Sequence, residues 1–239
     1  MLVSDIPLRN WRPREGYWVL IMYLGASSGS IARRTATSDA TIAWRALLAS
    51  TKPADISQGK VKEAADLARC KSEVAAEIQR CARAPPRFSK DGRVALIRID
   101  SPAQVHPVIA SRWANSLKGK TLEIVMVANT SYLPNRVNFA MRIAKSGGGT
   151  IASTEPMDII AFLRQAVTKV PGLADEVGAD FARGHAQATG GSVALEVFDK
   201  VLLAVGFEEG GAPSKKKEEK TVNPKGTLEA FGFKKLATK

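Results

Sequence analysis

Phe181-Ala182-Arg183-Gly184-His185-Ala186-Gln187-Ala188-Thr189-Gly190-Gly191 sets one of the chain's 2 histidines among glycine, alanine and arginine. Gly184, Gly190 and Gly191 carry no Cβ, so the backbone there can turn sharply and bring its N–H groups close to a ligand. Peptide N–H groups and an imidazole donor converge well on an anion such as phosphate. Val193, Val197, Val201 and Leu202 follow at helical spacing. That pattern predicts a glycine turn close to a helix N-terminus, whose partial positive charge also favours anions. The same composition suits a plain tight loop, and spacing alone leaves both readings open.

A resemblance bears on that choice. The run Arg183-Gly184-His185-x-x-Ala188-Thr189-Gly190 resembles the G-G-H-x-x-A-(A/S)-G signature of the DHH-associated domain. That domain is the C-terminal half of the DHH-family phosphoesterases, among them RecJ-like exonucleases, oligoribonucleases and pyrophosphatases. A version occurs in alanyl-tRNA synthetases. Val137-Asn138-Phe139-Ala140-Met141-Arg142 is similar to the family's strand that ends in arginine. The likeness spans about residues 33 to 207 and is clearer from Phe88 onward. It implies phosphate contacts from Gly184, His185, Gly190 and Gly191, with the Arg142 guanidinium facing the same pocket. Arg183 stands where the signature has glycine, which narrows the pocket or adds a cationic contact. The Asp-His-His run of the family's metal-binding half is absent from this sequence. The resemblance therefore implies phosphate or nucleotide binding, or single-stranded nucleic-acid binding, without catalysis by this chain alone. Manganese or magnesium is expected only if a metal-holding domain is supplied, and this chain itself is expected to bind no cofactor or metal.

Composition agrees with an anionic partner. The chain has 239 residues, 35 Lys and Arg against 23 Asp and Glu, and a net charge of +12. At 45% hydrophobic residues and a mean hydropathy of -0.09 it reads as globular. The excess charge favours nucleic acid first and a membrane surface second. Cys70 and Cys81 lie in one helical pattern, about 16 Å apart along the axis, too far for a disulfide within the helix. They fit no common zinc spacing, and core packing in a reducing compartment is the simpler expectation. No P-loop is present. No secretory signal is evident, and Tyr17–Leu24 is far short of the ~20 residues a spanning helix needs. The expectation is an intracellular protein, nuclear or cytoplasmic, without a membrane partner.

The expected fold is α/β, a mixed sheet flanked by helices, preceded by linker helices and followed by a disordered basic tail. Residues 1–32 form a divergent N-terminal segment, in which 17–24 reads as a buried strand and 25–30 as loop. Residues 33–87 supply the linker helices, one at 41–48 with Ser38 or Asp39 as N-cap, another from about Lys60 to Arg83. In the second, Leu67, Cys70, Val74, Ile78 and Cys81 form one apolar stripe.

The α/β domain spans residues 88–207. Strands are predicted at 93–99, 121–127 and 137–143, the second central and the third antiparallel to it. Ser101 and Pro102 predict a helix start, and 129–136 a turn. His106 follows the first strand, as a second phosphate contact or as a hydrogen-bonded structural histidine. Gly147–Gly149 reads as a flexible loop, and Glu155-Pro156-Met157 opens a helix through Val167. A shorter helix at 173–181 leads into the His185 loop.

Residues 208–239 are rich in lysine and glutamate. Leu228, Phe231 and Phe233 stand in that tail with the rough pattern of a sliding-clamp-binding peptide. An interaction protein recruited through this tail to replication or repair is thus one alternative. A truncated phosphoesterase is another.

Overall fold

The computed structural model describes residues 29–145 and 157–208. The order of its sheet follows from where apolar residues fall on both faces of a strand. Residues 124–129 of β3 (Ile124–Leu133) are all buried, which requires strand neighbours at each edge and helices above and below. Those neighbours are β2 (Val94–Ile99), parallel to β3, and β4 (Arg136–Ile143), antiparallel to it. The short β1 (Arg87–Phe88) pairs with β2 at one edge. At the other edge β6 (Ala188–Ala194) joins β4, and β5 (Arg183–His185) joins β6. The result is a mixed six-stranded sheet in the order β1-β2-β3-β4-β6-β5. The α/β class and the antiparallel β3–β4 pair agree with expectation.

Period-2 alternation sends two apolar sets to opposite faces. Leu96, Met126, Phe139 and Met141 meet α6 (Ile159–Thr168), α7 (Leu173–Glu176) and α8 (Leu195–Ala204). Ala95, Ile97, Val125, Val127 and Ala140 meet α5 (His106–Ser116) and the C-terminal part of α4 (Ala64–Cys81). The α4 stripe is buried as predicted, Cys70 and Cys81 included, and both are free thiols. Three short helices, α1 (Gly29–Arg34), α2 (Thr41–Ala49) and α3 (Pro53–Ser57), close a small third core with the start of α4.

Several local expectations are corrected. Residues 29 and 30 belong to α1, not to a loop. The turn expected over 129–136 is only Pro134-Asn135, because β3 continues to Leu133 through an irregularity in register. Pro134 fixes the first turn position, and Asn135 takes the left-handed second one at φ 57°. The helix expected from Ser101 begins at His106, with Pro107 in its first turn. A buried Asn129 explains the delay. Its Oδ1 accepts from Ser101 N at 3.0 Å and its Nδ2 donates to Ala103 O at 3.1 Å, holding 101–103 as a loop. Ser101 Oγ donates to Glu77 Oε2 at 2.5 Å, which ties the same loop to α4. Asp39, an expected cap of α2, accepts from Thr41 N at 2.9 Å, while Ala40 holds the N-cap position itself. The helix expected through Phe181 ends at Glu176. The predicted segments at 17–24 and 147–149, the Glu155-Pro156 helix opening and the basic tail lie outside the described residues.

Candidate functional site

The organising stretch is a β-hairpin, not a turn before a helix. Arg183–His185 and Ala188–Ala194 pair antiparallel, with His185 opposite Ala188, Gly184 opposite Thr189 and Arg183 opposite Gly190. Val193 belongs to β6, so the helix that was expected to carry it starts two residues later, at Leu195. Gly190 and Gly191 therefore lie inside a strand, and their missing Cβ atoms serve its neighbours. A Cβ on Gly190 would stand 2.5 Å from Phe139 O, and one on Gly191 2.6 Å from Asp180 O. Gly184 has φ +128°, a conformation side-chain-bearing residues rarely adopt. These glycines permit close strand approach; a phosphate-cradling turn is not what they form.

The hairpin nevertheless builds a site through its register. Arg142 pairs with Ala188, Ala140 with Gly190 and Asn138 with Ser192 across β4 and β6. Alternation places all six on one face, together with Arg183 and His185 from β5. Each row thus runs from β4 across a small residue to a polar side chain on β5: Arg142, Ala188, His185 in one, with Ala140, Gly190, Arg183 beside it. The ends of a row lie two strands apart, roughly 10 Å. Small residues in the middle leave a floor between raised rims. α5 packs over β3 and β4, and an open trough of about 420 Å³ lies beside it.

Arg142 and Arg183 line the trough, with Ala188, Gly190 and Gly191 between them. Gly184 and His185 do not line it; His185 stands exposed at the rim, on the same sheet face. Arg142 is half-buried and donates from Nη1 to Met141 O at 2.8 Å. Burial pushes its pKa down from the ordinary arginine value, yet a guanidinium stays charged. Its remaining donors are available to an anion. Arg183 is more exposed, donates from Nε to Ala179 O at 3.0 Å, and pairs with Asp180 at 3.2 Å. Asp180 itself lines the trough, so two guanidiniums outweigh one carboxylate there.

Sequence reasoning gave too little weight to the inner wall. Gln104, His106 and Asn138 line it. His106 is 4% exposed, and its Nδ1 lacks a hydrogen-bond partner among the described residues. The hydrogen-bonded structural histidine is therefore not what the fold contains at Nδ1. Asn138 Oδ1 is enclosed and unpartnered in the same way. Such atoms cost about 1–3 kcal/mol each when left unsatisfied. The sequence signal was Pro107, which marks a helix start as well as Pro102 does.

Burial, and then the Arg142 charge, push the His106 pKa down to about 4. The imidazole is thus neutral at neutral pH. The unfolded chain takes up this proton near pH 6.5, the folded one only near 4. Stability contributed by the neutral ring is present above 6.5 and is lost as pH falls between those values. From pH 7 to pH 5 the loss should be about 2 kcal/mol. Urea denaturation at the two pH values should show it in the parent, and a His106→Asn variant should show a flatter dependence. Equal slopes would place the imidazole in water.

A second hollow, about 510 Å³, lies by α6 and the start of β2. Charges of both signs line it, and Arg93 there is paired with Glu123 at 2.7 Å. Among the described residues no three His, Cys, Asp or Glu side chains gather where an ion could be held. Among them, too, no helix is long and apolar enough to cross a membrane. The tail residues Leu228, Phe231 and Phe233 lie outside the described residues.

No family model matches the sequence, and no curated protein does. Among solved structures, the chain is similar to RecJ from Thermus thermophilus in complex with Mn2+, at 17% identity and a TM-score of 0.46. It is similar to an exonuclease RecJ bound to manganese, at 19% identity and a TM-score of 0.42. These alignments each cover 79% of this chain, and 26% and 43% of the two RecJ chains respectively. The third similarity is to PggH, a pGpG-specific phosphodiesterase from Vibrio cholerae, at 14% identity and a TM-score of 0.37. That alignment covers 84% of this chain and 67% of the other. This chain thus spans less than half the length of either RecJ structure.

Proposed function

We propose that the trough binds the phosphate of a nucleotide or of a single-stranded nucleic acid, and that this chain recognises its ligand without cleaving it. The observation that carries the reading is the register of β4, β6 and β5. It sets Arg142, Arg183 and His185 on one face around a floor of Ala140, Ala188 and Gly190. A small-residue floor admits an anion to the depth of the guanidiniums, and charged hydrogen bonds at that depth are stronger than those in open water. The motif resemblance to the DHH-associated domain supports the same ligand class.

The donor set among the described residues supports the reading of recognition without cleavage. Metal-assisted phosphoester hydrolysis needs carboxylates and histidines gathered around the ions. The described residues hold no such group, and both carboxylate and histidine are scarce at the trough. A polypeptide carrying those ligands would have to supply the manganese or magnesium chemistry. Within this chain, Arg142 would neutralise phosphate charge, Arg183 would exchange part of its Asp180 pairing for the anion, and His185 would close the rim.

Calorimetric titration of AMP into the full chain tests the reading. Binding should weaken as salt rises, because exposed charges are screened. Inorganic phosphate should compete. No detectable heat at millimolar AMP and low salt would sink the proposal.

A further inference from the structure

The trough has a second half that phosphate recognition leaves unexplained. Asn138 lies four residues before Arg142 on the same face of β4, about 13 Å along the strand. That length suits a phosphate with a sugar or base attached, and exceeds what a bare phosphate fills. Gln104, His106 and Asn138 line this stretch, with Ser192 opposite Asn138 on β6. Ser192 is already engaged, its hydroxyl accepting from Arg136 Nε at 2.8 Å and its carbonyl from Nη2 at 2.7 Å. His106 Nδ1 and Asn138 Oδ1 are not engaged; both are enclosed and have no partner among the described residues.

Native folds leave few buried polar atoms unpaired, and two lining one hollow need a shared explanation. The hollow also lies at the first turn of α5, an eleven-residue helix that starts with His106. Resting on the phosphate reading above, we infer that the His106–Asn138 half of the trough holds the neutral, hydrogen-bond-donating part of a phosphorylated sugar or nucleoside. Asn138 Oδ1 can only accept a hydrogen bond, and an uncharged imidazole offers one acceptor and one donor. Sugar hydroxyls and nucleobase amines supply the matching hydrogens. A second phosphate matches them less well, because its oxygens would face acceptors, and the guanidinium nearest Asn138, that of Arg136, is already bonded to Ser192. The site is therefore selective for a phosphate joined to a neutral polar group, and it discriminates against pyrophosphate.

The test compares inorganic phosphate, pyrophosphate, ribose 5-phosphate and AMP on the full chain by calorimetry. Two neutral hydrogen bonds correspond to roughly tenfold in affinity, so AMP should bind about ten times more tightly than phosphate. Pyrophosphate should gain no comparable advantage. His106→Phe keeps a ring in place and removes both nitrogens; Asn138→Ala removes the amide. Each should lower the AMP-to-phosphate ratio severalfold, whereas Arg142→Ala should weaken both probes in step and keep the ratio. Thermal melts establish that the variants fold, and either variant alone decides the question if the other does not. If ribose 5-phosphate shows the whole advantage, the sugar is the donor; if only AMP does, the base is. A parent that binds phosphate but prefers neither AMP nor ribose 5-phosphate overturns this inference alone. So does a ratio that survives both substitutions. A parent that binds none of the four probes overturns the phosphate reading as well.

Discussion

Replacing Phe139 with alanine should lower the unfolding free energy by about 3–5 kcal/mol. The ring is 1% exposed and stands at the centre of the larger core. Its centroid lies 5.8 Å from that of Phe181 and 6.5 Å from that of Phe198, both in tilted arrangements. Such aromatic pairs contribute roughly 0.5–1.5 kcal/mol beyond area burial. Phe139 also sits opposite Gly191, where an added Cβ would approach the ring to 3.0 Å. Glycine and phenylalanine thus fill one space between them, and removing the ring leaves a void with no side chain across the strand to enter it. Urea denaturation at pH 7 is the measurement. A cost below about 1 kcal/mol would show that the three-ring cluster does not hold β4 and β6 to α8.

Arg142→Ala should weaken AMP binding by about 1.5–3 kcal/mol, or roughly 10- to 150-fold. The guanidinium is half-buried, so its contact with an anion is screened less than that of an exposed arginine. Its internal bonds go mainly to the carbonyl of the neighbouring Met141, and little of the fold depends on it. Melting temperature should therefore change far less than affinity. Arg183 is more exposed and already shares its charge with Asp180, so Arg183→Ala should have the smaller effect. The double variant should lose less than the sum of the two, because both groups serve one anion. With a short single strand as ligand, the salt dependence should flatten in the Arg142 variant. Unchanged affinity in both single variants would move the anion away from the β4–β5 rows.

The sheet was largely legible because its strands carry contrast. Residues 94–99 and 124–129 are apolar at nearly every position, and only burial on both faces accommodates that. The α4 stripe was legible for the same reason at helical period. Contrast fails in β6, where Ala188, Thr189, Gly190, Gly191 and Ser192 differ too little in hydropathy for a period of two to show. Glycine announces that something comes close, without saying whether it is a ligand or the next strand. Here the neighbours are the Phe139 and Asp180 carbonyls. The loop before α5 was missed because Asn129, remote in sequence, claims the Ser101 N–H. Arg142, Arg183 and Gly190 reached the trough as a matter of register, which no single segment encodes. His106 stayed one of two alternatives and Asn138 was given no role for a related reason: an orphaned polar atom is defined only by its surroundings.

The hairpin position of β5 and β6 at the end of the strand order has a consequence for how the trough comes into being. β6 lies beside β4 with more than forty intervening residues, and α5 arrives through a crossover from β2. Wall, floor and rim are therefore brought together by long-range closures, which form late and together when a chain folds. A peptide copied from residues 181–191 would contain the motif and none of the cavity. In the intact chain, AMP bound as proposed would engage only molecules in which those closures are complete, and would draw the population toward them by mass action. Amide hydrogen exchange should consequently slow on adding AMP not only at the hairpin but across β2, β3 and β4, strands that the nucleotide need not touch.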